Sequence, residues 1–231
     1  MASETESTLT PPSDPSLVDD GPSFREAYPE YSKTWRLDIL RFKQYAYLDT
    51  DSHIYVDYTG AGLAAKAQYA AHAHRLSESV FGNPHSSNPT SLSSTEQIEA
   101  TRVRVLRYFH ADPAEYAVIF TANATAAARL VGEAYPFTRS SKLLLTSDNH
   151  NSIVGIREFA RRCRAKAVYI PMAGSELRIE TDTVIQALKE QRPGPFMTAK
   201  SLFAYPAQSN FSGVRHSLHW ISQASSQILS L

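Results

Sequence analysis

VIFTANATAAARLVGE, residues Val118–Glu133, decides how the rest of the chain is read. Val118, Ile119 and Phe120 form a short β-branched and aromatic run, which predicts a strand. Thr121 to Thr125 are small or turn-forming. The Ala-rich segment after them carries Ala128, Leu130 and Val131 at helical spacing, so the stretch predicts strand, tight turn and helix. A helix opening directly after a strand aims its unbonded N–H groups, and the positive end of its dipole, at the turn. Small side chains at Ala124 and its neighbours let an anion reach that backbone, and the hydroxyls of Thr121 and Thr125 add donors. The stretch reads as a phosphate cradle. The same residues also suit an ordinary βα connection in which Asn123 caps the helix.

Working outward, Ile54–Asp57 (IYVD), Lys142–Thr146 (KLLLT), Val168–Ile170 and Ser201–Tyr205 (SLFAY) read as strands. Helical patterns lie at Leu63–Glu78, Thr95–Phe109, Ser152–Arg164 and Thr181–Glu190, and Phe24–Lys43 predicts one or two short helices packing on the body. Pro193-Gly194-Pro195 breaks the pattern after Glu190. Gly82–Ser94, GNPHSSNPTSLSS, holds two Asn-Pro pairs and many serines and reads as a long loop. Alternating strands and helices imply βαβ units, an α/β fold with a mostly parallel sheet, and ligands at the carboxyl ends of its strands. Three polar turns follow strands: TANAT after Phe120, DNHNS after Ser147, and AQSNFSG after Pro206.

Composition narrows the function. The 231 residues carry 23 basic and 23 acidic side chains, so no net field attracts nucleic acid or an anionic membrane. No apolar run approaches the roughly 20 residues that span a bilayer. Residues 1–22 are polar and acidic, predict a disordered tail, and resemble no leader; residues 23–231 read as one domain. Cys163, the only cysteine, leaves no intramolecular disulfide, and a cytoplasmic protein is the simplest reading. No G-x-S-x-G, Walker A, G-x-G-x-x-G or H-E-x-x-H motif occurs, and His72 and His74 fall on different faces of a helix.

Two turn residues carry chemistry. His150 at a strand end suits stacking on a flat ring or moving a proton, or simply bonding its own turn. Asn210, shortly before Gly213, suits holding a carboxylate or phenolate oxygen, or plain turn formation. Cys163 follows Arg161 and Arg162, whose charges favour a thiolate, although a helix cysteine is more often packing.

The ordered set IYVDYTGAGL, GNPHS, VIFTANATAAARLVGE, DNHNSIVGIRE and LFAYPAQSNFSG resembles the N-terminal part of molybdenum cofactor sulfurases. These belong to the class V aminotransferase, or cysteine-desulfurase-like, group of pyridoxal phosphate enzymes. The resemblance runs from about Tyr45 to Trp220. It implies the large domain of a type I fold and a pyridoxal 5′-phosphate cofactor. Asn123, Ala124 and Thr125 match the turn that cradles the cofactor phosphate. His150 matches the histidine that stacks on the pyridine ring, and Asn210 the asparagine near the phenolic oxygen and the substrate carboxylate. Asn83 and His85 match a loop bordering the active site. The family's reaction takes sulfur from L-cysteine and passes it to the molybdenum cofactor.

The chain departs from that family in one respect that governs activity. The Schiff-base lysine and the carboxylate for the pyridine nitrogen lie, in the family, after the AQSNFSG segment. Here ISQASSQILSL follows Trp220 without lysine or acid, and none of Lys33, Lys43, Lys66, Lys142, Lys166, Lys189 and Lys200 matches the Schiff-base position. Cys163 does not match the sulfur carrier. No catalytic residue is therefore assigned, and the expectation is a truncated, incomplete domain, inactive alone. Two rivals stand beside it. One is another class V enzyme, of the cysteine desulfurase or selenocysteine lyase kind. The other is a non-catalytic fragment forming a homo-oligomer or joining a full-length relative.

Overall fold

The computed structural model describes residues 21–50, 53–192 and 199–229, so the predicted tail and the Pro193-Gly194-Pro195 break lie largely or wholly outside the described residues. The chain divides into two compact units, residues 1–104 and 105–231.

The first unit is helical. α1 (Gly21–Ala27), a 3-10 turn (Pro29–Thr34) and α2 (Trp35–Tyr45) realise the helices expected around Phe24–Lys43. α3 (Lys66–Glu78) follows, with the Gln68 side chain accepting from the Ala65 N–H at 2.7 Å. The expected strand Ile54–Asp57 does not form. Its Tyr55 hydroxyl instead serves the following turn, donating to the Ala61 carbonyl at 2.7 Å, and Ile54 is 91% exposed. A strand needs a ladder partner, and no described segment supplies one.

The serine-rich loop is also corrected. α4 (Pro89–Tyr108) starts six residues before the expected start at Thr95. Asn88 is the cap: its side-chain oxygen accepts from the Ser91 N–H at 3.0 Å, and Pro89 takes the first helical position, where a missing N–H costs nothing. The second Asn-Pro pair thus opens a helix. Gly82 backs onto that first turn so closely that a Cβ there would lie 2.7 Å from the Ser91 nitrogen.

The second unit carries the sheet. α5 (Ala124–Ala134) precedes β1 (Lys142–Thr146). α6 (Asn151–Val154) and α7 (Ile156–Arg162) lead to β2 (Lys166–Ile170), and α8 (Thr181–Glu190) leads to β3 (Leu202–Ala204) and α9 (His219–Leu229). The strands are parallel in the order β2-β1-β3, with Leu144 opposite Val168 and Phe203. β1 is central and buried on both faces, which explains its unbroken Leu143-Leu144-Leu145 run. Leu143 and Leu145 pack with Phe137, Ile156 and Ala160, whereas Leu144 packs with Val184, Leu188 and Trp220. Alternation along the strand thus divides the three leucines between two cores, giving three layers.

Three details differ from expectation. Val118–Phe120 is not part of the described sheet, and Ile119 is 67% exposed. The predicted Ser152–Arg164 helix is divided at Gly155 into α6 and α7. The segment after Trp220, outside the expected pattern, forms α9, whose Ala224 is buried in the core with Val184 and Leu188 of α8.

Candidate functional site

The parallel strands direct β1 and β3 to one edge, where the turns after Thr146 and Ala204 emerge side by side. Hydrogen bonds tie the turn after β1 to the strands beside it. The Asn149 amide nitrogen donates to the Thr146 carbonyl at 2.9 Å and to the Ala204 carbonyl at 3.0 Å, bridging β1 to β3. The Ser147 hydroxyl accepts from the Met172 N–H just beyond β2 at 3.0 Å.

α5 opens as the sequence requires. Asn123 is extended, and its side-chain oxygen accepts from the Ala126 N–H at 2.9 Å. Its carbonyl accepts from the Ala127 N–H and from the Thr121 hydroxyl. Asn123 is therefore a helix cap, and Thr121 is engaged within the turn. The N–H groups of Ala124 and Thr125 precede the first intrahelical bond and face solvent with their exposed residues.

Thr125 and His150 are brought together by a residue that the sequence reading passed over. The Ser152 hydroxyl lies 2.7 Å from the Thr125 hydroxyl and 3.0 Å from His150 Nδ1. The Ser152 N–H also meets His150 Nδ1, at 3.2 Å, so the imidazole caps α6. A backbone N–H only donates, so Nδ1 is the acceptor in that contact. The local signal was the serine two positions after a histidine at a helix start, a side-chain cap spacing.

Asn210 is exposed in the loop after β3, and among the described residues no hydrogen bond joins its side chain to Thr125 or His150. The loop is closed by the Ser209 N–H to the Val214 carbonyl at 2.9 Å and the Gly213 N–H to the Ser209 carbonyl at 2.9 Å. Gly213 has φ 72°, the left-handed geometry that the turn requires of glycine. Asn83 and His85 belong to the first unit, where the His85 N–H donates to the Thr95 hydroxyl at 3.0 Å.

The charged chemistry at this edge is sparse. In the second unit Lys142 and Lys166 begin β1 and β2, Lys200 precedes β3, and Lys189 ends α8, which returns to the amino end of β3. A five-residue strand is about 16 Å long. Lys142 and Lys166 are thus a strand's length from the edge that carries the turns. Cys163 is exposed at the end of α7, and its neighbour Arg161 pairs with Glu158 at 2.6 Å. Among the described residues no group of His, Cys, Asp and Glu could hold a metal, and no helix is long and apolar enough to cross a membrane.

Comparison with known proteins places this arrangement. The family model for aminotransferase class V matches residues 54–227. The chain is 34% identical over 208 residues to a molybdenum cofactor sulfurase of Arabidopsis thaliana, covering 83% of this chain and 25% of that protein. It is 35% identical over 179 residues to a molybdenum cofactor sulfurase of Homo sapiens (75% and 19%). With that of Aspergillus clavatus it shares 38% over 188 residues (80% and 20%). The chain thus spans a quarter or less of the length of these relatives. Among solved structures it is similar to an apo cysteine desulfurase from Thermococcus onnurineus, with TM-score 0.66 and 21% identity over 82% of this chain and 45% of that one. A cysteine desulfurase from Escherichia coli gives 0.60 and 23%, over 81% and 45%. The fold is that of these enzymes, the type I pyridoxal phosphate fold.

Proposed function

Because the chain belongs to the aminotransferase class V family, we propose that its second unit is the phosphate- and ring-holding part of a pyridoxal 5′-phosphate site in a molybdenum cofactor sulfurase-like protein. The observation that carries this is the Thr125–Ser152–His150 chain at the opening of α5. The residues fit the cofactor. Ala124 and Thr125 offer backbone N–H groups to a phosphate, helped by the α5 dipole. When the Thr125 hydroxyl donates to that anion, Ser152 donates to Thr125, and His150 Nδ1 keeps the Ser152 N–H. The His150 ring is thereby oriented beside the cradle. Asn210, on its glycine-closed loop, supplies an amide for a phenolic oxygen or a substrate carboxylate. Bound there, the cofactor supplies an electron sink for chemistry at the α-carbon of an amino acid.

The relatives are named molybdenum cofactor sulfurases, and the reading extends to this chain the molybdenum cofactor as sulfur acceptor, with L-cysteine as the proposed donor and the cytoplasm as the proposed location. No lysine of the second unit lies at the carboxyl edge, so the chain holds the cofactor without a covalent tether and does not desulfurate cysteine alone. The test is equilibrium dialysis against pyridoxal 5′-phosphate followed by borohydride treatment and peptide mapping. One equivalent bound, weakened by Thr125→Val, with no single lysine labelled, supports the reading. Stoichiometric labelling of one lysine overturns the claim of non-covalent binding.

A second reading rests on exposed apolar side chains in the second unit, Ile119 at 67%, Phe120 at 51% and Val131 at 49%. Such groups mark a contact surface, and the reading is association with a second copy or with a longer relative. Light scattering of the chain alone, and with a full-length relative, tests it; a monomer that captures no relative at micromolar concentration ends it.

A further inference from the structure

The most deeply buried polar contact of the second unit lies between its two site turns. His216 Nε2 and Asp148 Oδ2 are 2.7 Å apart, with side chains 2% and 0% exposed. A carboxylate only accepts, so the imidazole N–H donates. The other carboxylate oxygen, Asp148 Oδ1, is buried with no hydrogen-bond partner among the described residues. That is a costly arrangement, since a buried ionised group left partly unbonded is worse than an apolar contact of equal size. Cohesion alone does not account for it.

Its placement does. Asp148 is two residues from His150, on the turn after β1. His216 closes the base of the Asn210 loop: its N–H donates to the Ala207 carbonyl at 3.0 Å. The His216 ring stacks on Trp220 at 5.1 Å and 26°, and the Trp220 indole N–H donates to the Thr181 hydroxyl at 3.2 Å. The β1–β3 ladder ends at Leu145 opposite Ala204, so it does not space the turns beyond that point. Asn149 joins them through the Ala204 carbonyl, and the Asp148–His216 bond is a second side-chain link between them.

We infer that the Asp148–His216 bond is a clamp that sets the separation of the His150 turn from the Asn210 loop, making both residues positioning residues for a planar phosphorylated ligand held between them. This rests on the reading of those turns as walls of the cofactor site. The clamp acts on the ring end of the ligand. The phosphate end is held by α5 and the Thr125 hydroxyl, which the pair does not touch.

The experiment uses the 231-residue chain and its Asp148→Ala, Asp148→Asn and His216→Phe variants. The phenylalanine keeps an aromatic ring on Trp220 while removing the hydrogen bond. Amide hydrogen exchange is followed over residues 149–153 and 209–214, with β2 and α8 as controls. Affinities are measured for pyridoxal 5′-phosphate and, separately, inorganic phosphate. Asp148→Ala and His216→Phe are expected to speed exchange in both turns together, roughly ten- to a hundredfold, the range for a lost hydrogen bond to a charged group. They weaken pyridoxal phosphate by a similar factor and leave inorganic phosphate unchanged. Asp148→Asn, which keeps a polar partner for His216, restores most of both. Loosening of only the substituted turn, equal loosening of β2 and α8, or parallel loss of both ligands overturns the clamp. If the unsubstituted chain takes up no pyridoxal phosphate, the cofactor reading falls, and the exchange rates alone decide the clamp.

Discussion

The Ser152 hydroxyl sits between two groups that a family comparison would treat separately, a phosphate cradle and a ring-stacking histidine. It can give its single proton to Thr125 or to His150, so occupancy of one is felt at the other. Ser152→Ala leaves Nδ1 with only the backbone donor, and pyridoxal phosphate affinity is expected to fall about three- to tenfold, the worth of one neutral hydrogen bond. Equilibrium dialysis measures this, and unchanged affinity would remove Ser152 from the site. Asn123 has a separable structural role. Asn123→Ala removes the α5 cap and is expected to cost about 1 kcal/mol in urea unfolding, whatever ligand is present.

Elements succeed or fail here according to what their ends and faces meet. α4 begins at Pro89 because Asn88 satisfies a first-turn N–H, a case where Asn-Pro opens a helix. α5 shows packing overriding propensity. Gly132 is a poor helix former, yet a Cβ there would lie 2.7 Å from a ring carbon of Phe159 on α7. Helix propensity alone says that Gly132→Ala stabilises; the contact says that it destabilises, by about 1–3 kcal/mol. Chemical denaturation of the variant decides the sign. Val118–Phe120 and Ile54–Asp57 have strand-like composition without strand pairing, because a ladder is made by two segments and composition describes one.

At the scale of the second unit, stability centres on β1 and on Trp220, in the first turn of α9 and 1% exposed against α8 and His216. Trp220→Ala is expected to cost about 3–5 kcal/mol, read as a lower urea midpoint. The alkaline limb should carry the signature of Tyr135. Burial holds its phenol above the ordinary value of 10.0, and its O–H donates to the Ser201 carbonyl at 2.7 Å. The folded state thus keeps a proton that the unfolded chain gives up first, so stability is undiminished below about pH 10 and falls as pH rises beyond it. Tyr135→Phe should flatten that fall in urea midpoints measured from about pH 8 to 11. The slope that remains would belong to groups such as Tyr205, which burial raises in the same direction.

What the residues alone determined is local: KLLLT as a strand, Thr181–Glu190 as a helix, and Asn123, Ala124 and Thr125 at a helix start, because period, capping and turn chemistry act within a few positions. The motif order also sufficed to point to the family. The tertiary structure alone decided that Ser152 joins Thr125 to His150, that Asp148 meets His216 across 68 positions, and which strand-like runs enter the sheet. Those outcomes depend on partners distant in sequence, and burial gives such contacts their strength only after the strands have brought them together.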